Sequence, residues 1–389
     1  MNRHRKTRLG KVLQSTRRAG RYAWPAAALS VMGCLPLPNI ISVSPDGRYV
    51  VVPCNQDGVD LIVEHPARFV MIDMRTGEMR VLDHLADCPY WINNTAEVVT
   101  FSSVRNDRPI VTILRDGREL HVDDAAFPAL SDDGRVLVYS AIIEHEGGQE
   151  TYGLVRRDLL AAETVDLHRQ AVLADISPDG ARISYVRIEP GPSYQLCTAK
   201  SDGSDEKRIA KLDPDTPGTF YPRWLNANTV VYRTRTAESP EDGELFMADL
   251  DGRTTQVTDN EVEDAFPTLT ADGRLFYMRL PSVPEYKAGD VPGLAVGKDP
   301  VPGEIWMATK HGQTWQHVSL GVRAFYFRVA GDQIIYLSAD AEGDNGPTLF
   351  RAPIANPTEQ TNLWDQIKEH GAKLPAAETQ AGGDDADAG

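Results

Sequence analysis

Five acidic residues have the type and spacing best suited to binding a metal ion or a cationic partner: Asp87, Asp123, Asp124, Glu263 and Asp264. They lie shortly before prolines that recur along the chain. Carboxylate oxygens are the ligands that Ca²⁺ prefers in proteins, and a group of carboxylates also attracts cationic partners. A solvated acidic rim is the alternative interpretation. Whether the five side chains meet depends on the elements that carry them.

Signatures of enzymatic chemistry are missing from the sequence. No G-x-S-x-G motif is present, which argues against an acyl-transferring serine nucleophile. His145 lies in a Glu-His-Glu segment without a second histidine four residues on, so a zinc-protease motif is absent. The sequence therefore predicts a protein that is not an enzyme, with no assigned catalytic, cofactor-binding or metal-ligating residue and with Ca²⁺ as the one cofactor kept open.

A repeated pattern dominates the chain. An apolar segment, a Ser-Pro-Asp-Gly-like turn and a second apolar segment recur, and Asp-Gly between apolar strands is a strong hairpin signal. A second hairpin follows each first one, so each unit contains four strands. The clearest turns lie at residues 44–48, 131–135, 177–181 and 270–274, with weaker copies near 95, 227 and 331.

The spacing of the units, 39 to 58 residues, is typical of propeller blades, which close into a ring and so remove most exposed sheet edges. The pattern resembles the WD40-like repeats of TolB-type periplasmic propellers and of the amino-terminal propellers of prolyl-oligopeptidase-like enzymes. We expect an all-β fold, a β-propeller over residues 39–366 with about seven four-stranded antiparallel blades. Six blades remain the alternative.

The strand order predicts which face binds. If the first strand of each blade, strand A, runs along the axis, the short A–B and C–D turns share one face. The B–C loops and D–A connections then share the other face, together with the five acidic residues. Long loops on a rigid scaffold usually carry binding, so this acidic face is the predicted interaction surface. The expected loops are residues 105–109, 144–150, 189–193, 237–243, 281–303 and 339–346.

The amino-terminal segment predicts export. Residues 1–33 contain eight basic residues and no acidic one, followed by a short apolar run that ends at Cys34. Val-Met-Gly-Cys resembles a bacterial lipobox, which implies a signal peptide at 1–33, lipidation of Cys34 and a short tether at 34–38. A plain signal peptide or an uncleaved anchor is the alternative. Residues 367–389 are predicted to be a disordered acidic tail.

Net charge and cysteine content bear on the class of binding partner and on the disulfide state of the chain. The net charge of −16 disfavours nucleic acid, because phosphate binding requires an excess of Lys and Arg. Cys54 and Cys88 both fall on the predicted loop face, where a disulfide is one possibility and two unpaired thiols are the other.

These observations lead to three hypotheses of function. The first is a monomeric, non-enzymatic interaction scaffold of the bacterial cell envelope. It would be lipid-anchored at the periplasmic face of the outer membrane and would bind a cationic or membrane-associated protein on the acidic face. The second is a propeller enzyme of the lactonase or glycan-lyase type that uses a metal or carboxylates at the channel mouth. The third is a glycan or small-ligand binder without turnover.

Overall fold

The computed structural model of the protein describes residues 41–53, 67–86, 88–105, 108–144, 150–189, 193–212, 222–235, 243–270, 272–281, 302–312, 314–339 and 347–369. Within these ranges the chain forms seven four-stranded antiparallel sheets, and each sheet takes four consecutive strands. The sheets are the blades of a β-propeller. The predicted fold class and the larger of the two expected blade counts are confirmed.

The first four blades contain sixteen strands. Blade 1 consists of β1 (Ser42–Val43), β2 (Tyr49–Pro53), β3 (Ala67–Asp73) and β4 (Met79–Ala86). Blade 2 consists of β5 (Cys88–Ile92), β6 (Val98–Arg105), β7 (Arg108–Arg115) and β8 (Arg118–Asp123). Blade 3 consists of β9 (Ala125–Leu130), β10 (Val136–Glu144), β11 (Glu150–Asp158) and β12 (Thr164–Arg169). Blade 4 consists of β13 (Ala171–Ile176), β14 (Arg182–Glu189), β15 (Ser193–Lys200) and β16 (Lys207–Leu212).

The remaining three blades and one helix complete the described chain. Blade 5 consists of β17 (Arg223–Asn226), β18 (Thr229–Thr234), β19 (Glu244–Asp249) and β20 (Thr254–Gln256). Blade 6 consists of β21 (Glu263–Leu269), β22 (Leu275–Leu280), β23 (Gly303–His311) and β24 (Thr314–Ala324). Blade 7 consists of β25 (Tyr326–Ala330), β26 (Gln333–Ala339), β27 (Pro347–Pro353) and β28 (Thr361–Asn362), and helix α1 (Leu363–Glu369) follows.

The repeated A–B turn is closed by its own side chains. In blade 1 the Ser44 hydroxyl donates to Asp46 Oδ1 at 2.6 Å, and the same oxygen accepts from the Arg48 backbone N–H at 3.0 Å. The Ser44 oxygen in turn accepts from the Tyr49 N–H at 2.8 Å. Equivalent bonds form in blades 3 and 4. The recurring Ser-x-Asp-Gly sequence is therefore a self-contained turn, and its carboxylate is used by the fold.

The arginine after the Asp-Gly turn ties the two hairpins of a blade together. Arg48 pairs with Asp73 at 2.7 Å in blade 1, and Arg135 pairs with Asp158 at 2.9 Å in blade 3. The Arg48 hydrogen bond lowers the pKa of Asp73, whose other oxygen accepts the Arg75 N–H. Because each pair joins an A–B turn to a C–D turn, both turn types share one face. This agrees with the predicted strand orientation.

The opposite face carries the B–C loops, and most of them lie outside the described residues. At the loop expected at 105–109, strands β6 and β7 are paired as far as Arg105 and Arg108, and only residues 106 and 107 lie outside the described ranges. The expectation of a long loop there is wrong, because the residues assigned to it extend the two strands.

The ring closes by contact between blades 7 and 1. The innermost strands touch in the order β1, β5, β9, β13, β17, β21 and β25, and β25 touches β1 again. No strand is exchanged between the two ends among the described sheets. The seam is instead apolar, with Ile41 and Val52 of blade 1 packed in one buried cluster with Ile335 and Leu349 of blade 7. Apolar burial therefore holds the ends of the ring together.

Helix α1 seals this seam. Leu363, Trp364 and Ile367 are buried at 1% exposure or less, in the same cluster as the two blades. The indole N–H of Trp364 donates to the carbonyl of Pro53 in blade 1 at 3.3 Å. The helix crosses position 366, where the sequence places the end of the propeller, and residues after 369 lie outside the described ranges.

Gly47 offers a test of the seam. Its φ is +74°, and an added Cβ would lie 2.2 Å from the backbone nitrogen of Gly331 in blade 7. Gly273 has φ +84° in the matching turn of blade 6, with nothing within 4 Å of an added Cβ. G273A should cost about 1–2 kcal/mol through backbone strain, and G47A a further ~1–3 kcal/mol through overpacking. Urea unfolding of both variants measures the difference, and equal losses would contradict a tight seam.

Candidate functional site

The innermost strands are irregular where they line the central channel. Strands β9, β13 and β21 each contain a β-bulge. Phe127, Leu173 and Phe266 lie in these bulges with φ values of 52°, 56° and 54°. Positive φ is unfavourable for bulky residues by about 1–2 kcal/mol, so tertiary packing must enforce it. Such bulges redirect the strand and its side chains next to the axis.

Two of the predicted acidic residues are ion-paired where blades 5 and 6 meet, Glu263 with an arginine of blade 5 and Asp264 with an arginine of its own blade 6. Glu263 pairs with Arg233, whose side chain is 2% exposed, and accepts the Gly243 N–H at 3.1 Å. Asp264 is fully buried and accepts from Arg279 Nε at 3.1 Å and from Asn260 Nδ2 at 2.7 Å. Burial raises the pKa of both carboxyl groups, and the arginines oppose that shift. These two carboxylates are therefore occupied by the blade interface.

The other predicted residues lie elsewhere. Asp123 ends β8 and is exposed, and Asp124 follows it and pairs with Arg108 at 2.8 Å. Asp87, Cys34 and Cys54 lie outside the described residues, and so does the side chain of Cys88. Lipidation and the disulfide therefore stay predictions. The structure brings Glu263 and Asp264 together and separates them from Asp123 and Asp124, which lie between blades 2 and 3.

A further buried carboxyl group adjoins this interface. Glu244 is fully buried, accepts from the Thr258 hydroxyl and accepts the Asn260 N–H at 3.1 Å. Burial, reinforced by the charge of Asp264, raises the pKa of Glu244 to about 7. Sequence reasoning missed Glu244, because nothing in its immediate neighbours signals burial. At neutral pH this group binds a proton that an exposed glutamate would release.

Two arginines lie on innermost strands that line the central channel, Arg223 on β17 and Arg328 on β25. Arg328 lies on β25 of blade 7, and its guanidinium stacks 4.5 Å from the centre of the Tyr326 ring. Burial lowers the pKa of Arg328, and the charge of Arg223 on blade 5 lowers it further, whereas Tyr326 and Tyr90 raise it. Blade 7 adjoins only blades 6 and 1. Arg223 and Tyr90 belong to blades 5 and 2, so their influence on the pKa of Arg328 reaches beyond the adjacent blades.

Asp175 connects this pair to blade 4. Its carboxylate accepts from Arg223 Nη1 at 3.3 Å and from the Trp224 N–H at 3.1 Å. The Trp224 indole donates to the Asp175 carbonyl at 3.3 Å, which fixes the two innermost strands relative to one another. Burial raises the pKa of Asp175 despite the opposing charge of Arg223.

The A–B end of the channel is acidic. Burial raises the pKa of Asp132 to about 6, with further contributions from Asp175, Asp133 and Asp46. Asp46 is on blade 1 and Asp132 on blade 3, so the charge of Asp46 influences an acid beyond the adjacent blade 2. The A–B end of the channel thus has several carboxylates, and Asp175 among them pairs with Arg223.

Sequence reasoning missed the channel arginines, although a signal was present. Both lie in otherwise apolar strand A segments, Pro222-Arg-Trp224 and Phe327-Arg-Val329. The corresponding segments at 128–130 and 267–269 contain Ala or Thr in the middle position. A charged residue that breaks an apolar repeat is a functional signal in a propeller. The sequence alone cannot show that two such residues face one another.

The described residues contain neither a candidate metal site nor a candidate membrane-spanning helix. Across the ranges given above, no three His, Cys, Asp or Glu side chains are grouped so that they could hold a metal ion. In the same part of the chain, no helix is long and apolar enough to cross a membrane. The Ca²⁺ prediction involves Asp87, which is not described, and so stays a prediction.

Comparison with known proteins finds similarity at the level of structure alone. No protein-family profile and no curated protein matches the sequence. A puromycin-hydrolyzing peptidase of Mycobacterium tuberculosis is similar with a TM-score of 0.57 at 15% identity, over 90% of this chain and 56% of the peptidase. The β-propeller domain of the Trilobed protease from Pyrococcus furiosus, which has an open velcro topology, is similar with a TM-score of 0.57 at 13% identity, over 86% of this chain and 97% of that domain. An oligogalacturonate lyase in complex with manganese is similar with a TM-score of 0.55 at 14% identity, over 80% of this chain and 87% of the lyase.

These similarities agree with the class that the described sheets define, a seven-bladed β-propeller, and the expected likeness to the propellers of prolyl-oligopeptidase-like enzymes is confirmed at the level of the fold. The chain spans about half the length of the peptidases. The expectation that the protein is not an enzyme is contradicted, because the similar structures are mainly peptidases together with one lyase. At such low identity the likeness establishes the fold, and function has to be argued from the site.

Glu244 makes the stability of the fold depend on pH. Because its folded pKa of about 7 exceeds that of an unfolded glutamate, the native state retains a proton that the unfolded chain releases. The free energy of unfolding should therefore fall as pH rises from about 5 to about 8, by on the order of 2–3 kcal/mol. E244Q, which can keep both hydrogen bonds, should flatten this decline. Thermal melts across that range measure it, with exposed Glu163→Gln as the control, and an unchanged slope in E244Q would contradict the assignment.

Proposed function

We propose that the central channel of this propeller binds an anionic ligand that carries a carboxylate, and that Arg223 and Arg328 are the groups that recognise it. The proposal is carried by the placement of both arginines on innermost strands, β17 of blade 5 and β25 of blade 7, where the charge of Arg223 lowers the pKa of Arg328. Arginine presents a planar fork of N–H donors that matches a carboxylate. A ligand between the two would be held from both sides.

The surroundings favour an anion at this point. Desolvation disfavours the charged Arg328, and the like charge of Arg223 adds to that cost. A bound carboxylate relieves both effects, since opposite charges attract strongly where water is scarce. The Tyr326 ring supports the Arg328 guanidinium, and Tyr90 faces the same space. Arg223 is 33% exposed and therefore within reach of a ligand in the channel.

The similar enzymes suggest which carboxylates to test. One is a peptidase and one acts on oligogalacturonate. Peptides end in a carboxylate, and each galacturonate unit contains one. We propose that the bound molecule belongs to one of these two sources and is handled as a substrate or product. The shared chemistry is a carboxylate held by two arginines.

The acidic loop face remains a separate hypothesis. A protein partner on that face stays a prediction, since most of its loops lie outside the described residues. Of its predicted carboxylates, Asp124, Glu263 and Asp264 are paired with arginines. The structural support for binding is therefore stronger in the channel than on that face.

The channel proposal predicts selective binding. Digalacturonate or a short amino-acetylated peptide should bind, and its methyl ester should not, because the ester lacks the negative charge. R328Q should weaken binding of the acid about tenfold or more, as expected for a lost charged hydrogen bond. Isothermal titration calorimetry measures both, and R253Q at an 81% exposed arginine serves as the control. Equal binding of acid and ester, or equal effects of R328Q and R253Q, would count against the proposal.

The proposed location is the cell envelope. It depends on the signal peptide at residues 1–33 and on lipidation of Cys34, neither of which lies in the described residues. Mass spectrometry of the mature protein from membranes should find an amino-terminal Cys34 with attached acyl chains, and C34S should shift the protein to the soluble fraction. A mature chain that begins elsewhere would exclude the lipid anchor.

A further inference from the structure

We infer that Asp175 controls the channel site by competing with the anionic ligand for Arg223, and that it yields the guanidinium when its carboxylate takes up a proton. Asp175 is then a specificity-determining and positioning residue. The inference rests on the proposed anion site and adds the regulation of that site by pH.

The geometry makes Asp175 an internal competitor. One carboxylate oxygen accepts from Arg223 Nη1 at 3.3 Å, and the other accepts the Trp224 backbone N–H at 3.1 Å. The Trp224 indole bond to the Asp175 carbonyl holds the same two strands together. The carboxylate is thus fixed where it occupies Arg223, and a ligand carboxylate must share or replace that contact.

The fold does not require an acid at this position. Asp175 lies two residues before Ser177, which opens the A–B turn of blade 4. The residues two places before the corresponding turn openings in blades 1, 3 and 6 are Ser42, Ala129 and Thr268. Small residues therefore satisfy the repeat at this point. The acid in blade 4 is an addition to the repeat, and its side chain reaches blade 5.

The charges around Asp175 determine the direction of the pH effect. Burial raises the pKa of Asp175, so protonation begins above the ordinary carboxyl range. The charged and titratable groups near the site are Asp46, Asp132, Asp133, Arg223, Arg328, Tyr90 and Tyr326. Asp132 and Asp175, the two of these acids whose pKa burial raises, oppose an anion less once they are protonated. Anion binding should therefore tighten as pH falls.

Sulfate is a suitable probe, because it remains a dianion across the range in which Asp175 titrates. Wild-type protein should bind sulfate about tenfold more tightly or better at about pH 5 than at about pH 8. D175N keeps an oxygen for the Trp224 N–H and removes the charge, so at pH 8 it should match the wild-type affinity at pH 5. D132N, which removes a nearby charge without touching Arg223, should retain most of the pH dependence. Isothermal titration calorimetry at fixed ionic strength measures the sulfate affinity of the wild type, D175N and D132N at both pH values.

The outcomes separate this inference from the proposed function. Sulfate binding that is lost in R328Q but independent of pH in the wild type would overturn the role of Asp175 and keep the anion site. A full pH dependence in folded D175N would overturn it too. Absence of sulfate binding at either pH would overturn both. R223Q gives a second test. In this variant sulfate can bind through Arg328 alone, so its affinity should no longer depend on pH. A pH dependence that persists in R223Q would contradict competition for Arg223.

Discussion

Blades 1 and 7 must meet without sharing a strand, and the channel depends on that contact. Each described blade takes its four strands from one stretch of chain, so no β-ladder joins the two ends of the ring. The seam is held by apolar side chains from both blades and by the buried face of helix α1. Arg328 lies on blade 7, and its distance from Arg223 and Tyr90 is fixed only if the seam is closed. Apolar packing at the seam of blades 7 and 1 thus determines where the charge of Arg328 lies in the channel.

The propeller treats its buried charges in two ways. Where blades 5 and 6 meet, Glu263 pairs with Arg233 of blade 5 and Asp264 pairs with Arg279 of blade 6, so both charges are satisfied inside the structure. Such pairs offset their desolvation only when geometry and hydrogen bonds are good. Around the channel, Arg328 lies in the field of a second guanidinium, that of Arg223, which itself pairs with Asp175. This influence of one positive charge on another distinguishes a candidate binding site from an interface of matched ion pairs.

The comparisons change the functional interpretation more than the fold. The absence of a nucleophile motif led to the expectation of a non-enzymatic scaffold, and the similarity to peptidases and a lyase contradicts it. A missing motif excludes one mechanism and leaves other chemistry open. Since identity is 15% or lower for these structures, the carboxylate ligand is argued from the channel arginines and is tested there.

The sequence by itself determined the blades, because the turn motif is local: Ser44, Asp46 and Arg48 satisfy one another within five residues, and the same bonds recur in other copies. It also predicted correctly that A–B and C–D turns share a face. The tertiary structure alone decided what the charged residues do. Glu263 and Asp264 follow one another in sequence like a solvated acidic patch, yet their partners come from strands that only folding brings near. Arg223 and Arg328 are separated by about two blades of chain, and only the closed ring places both beside one channel.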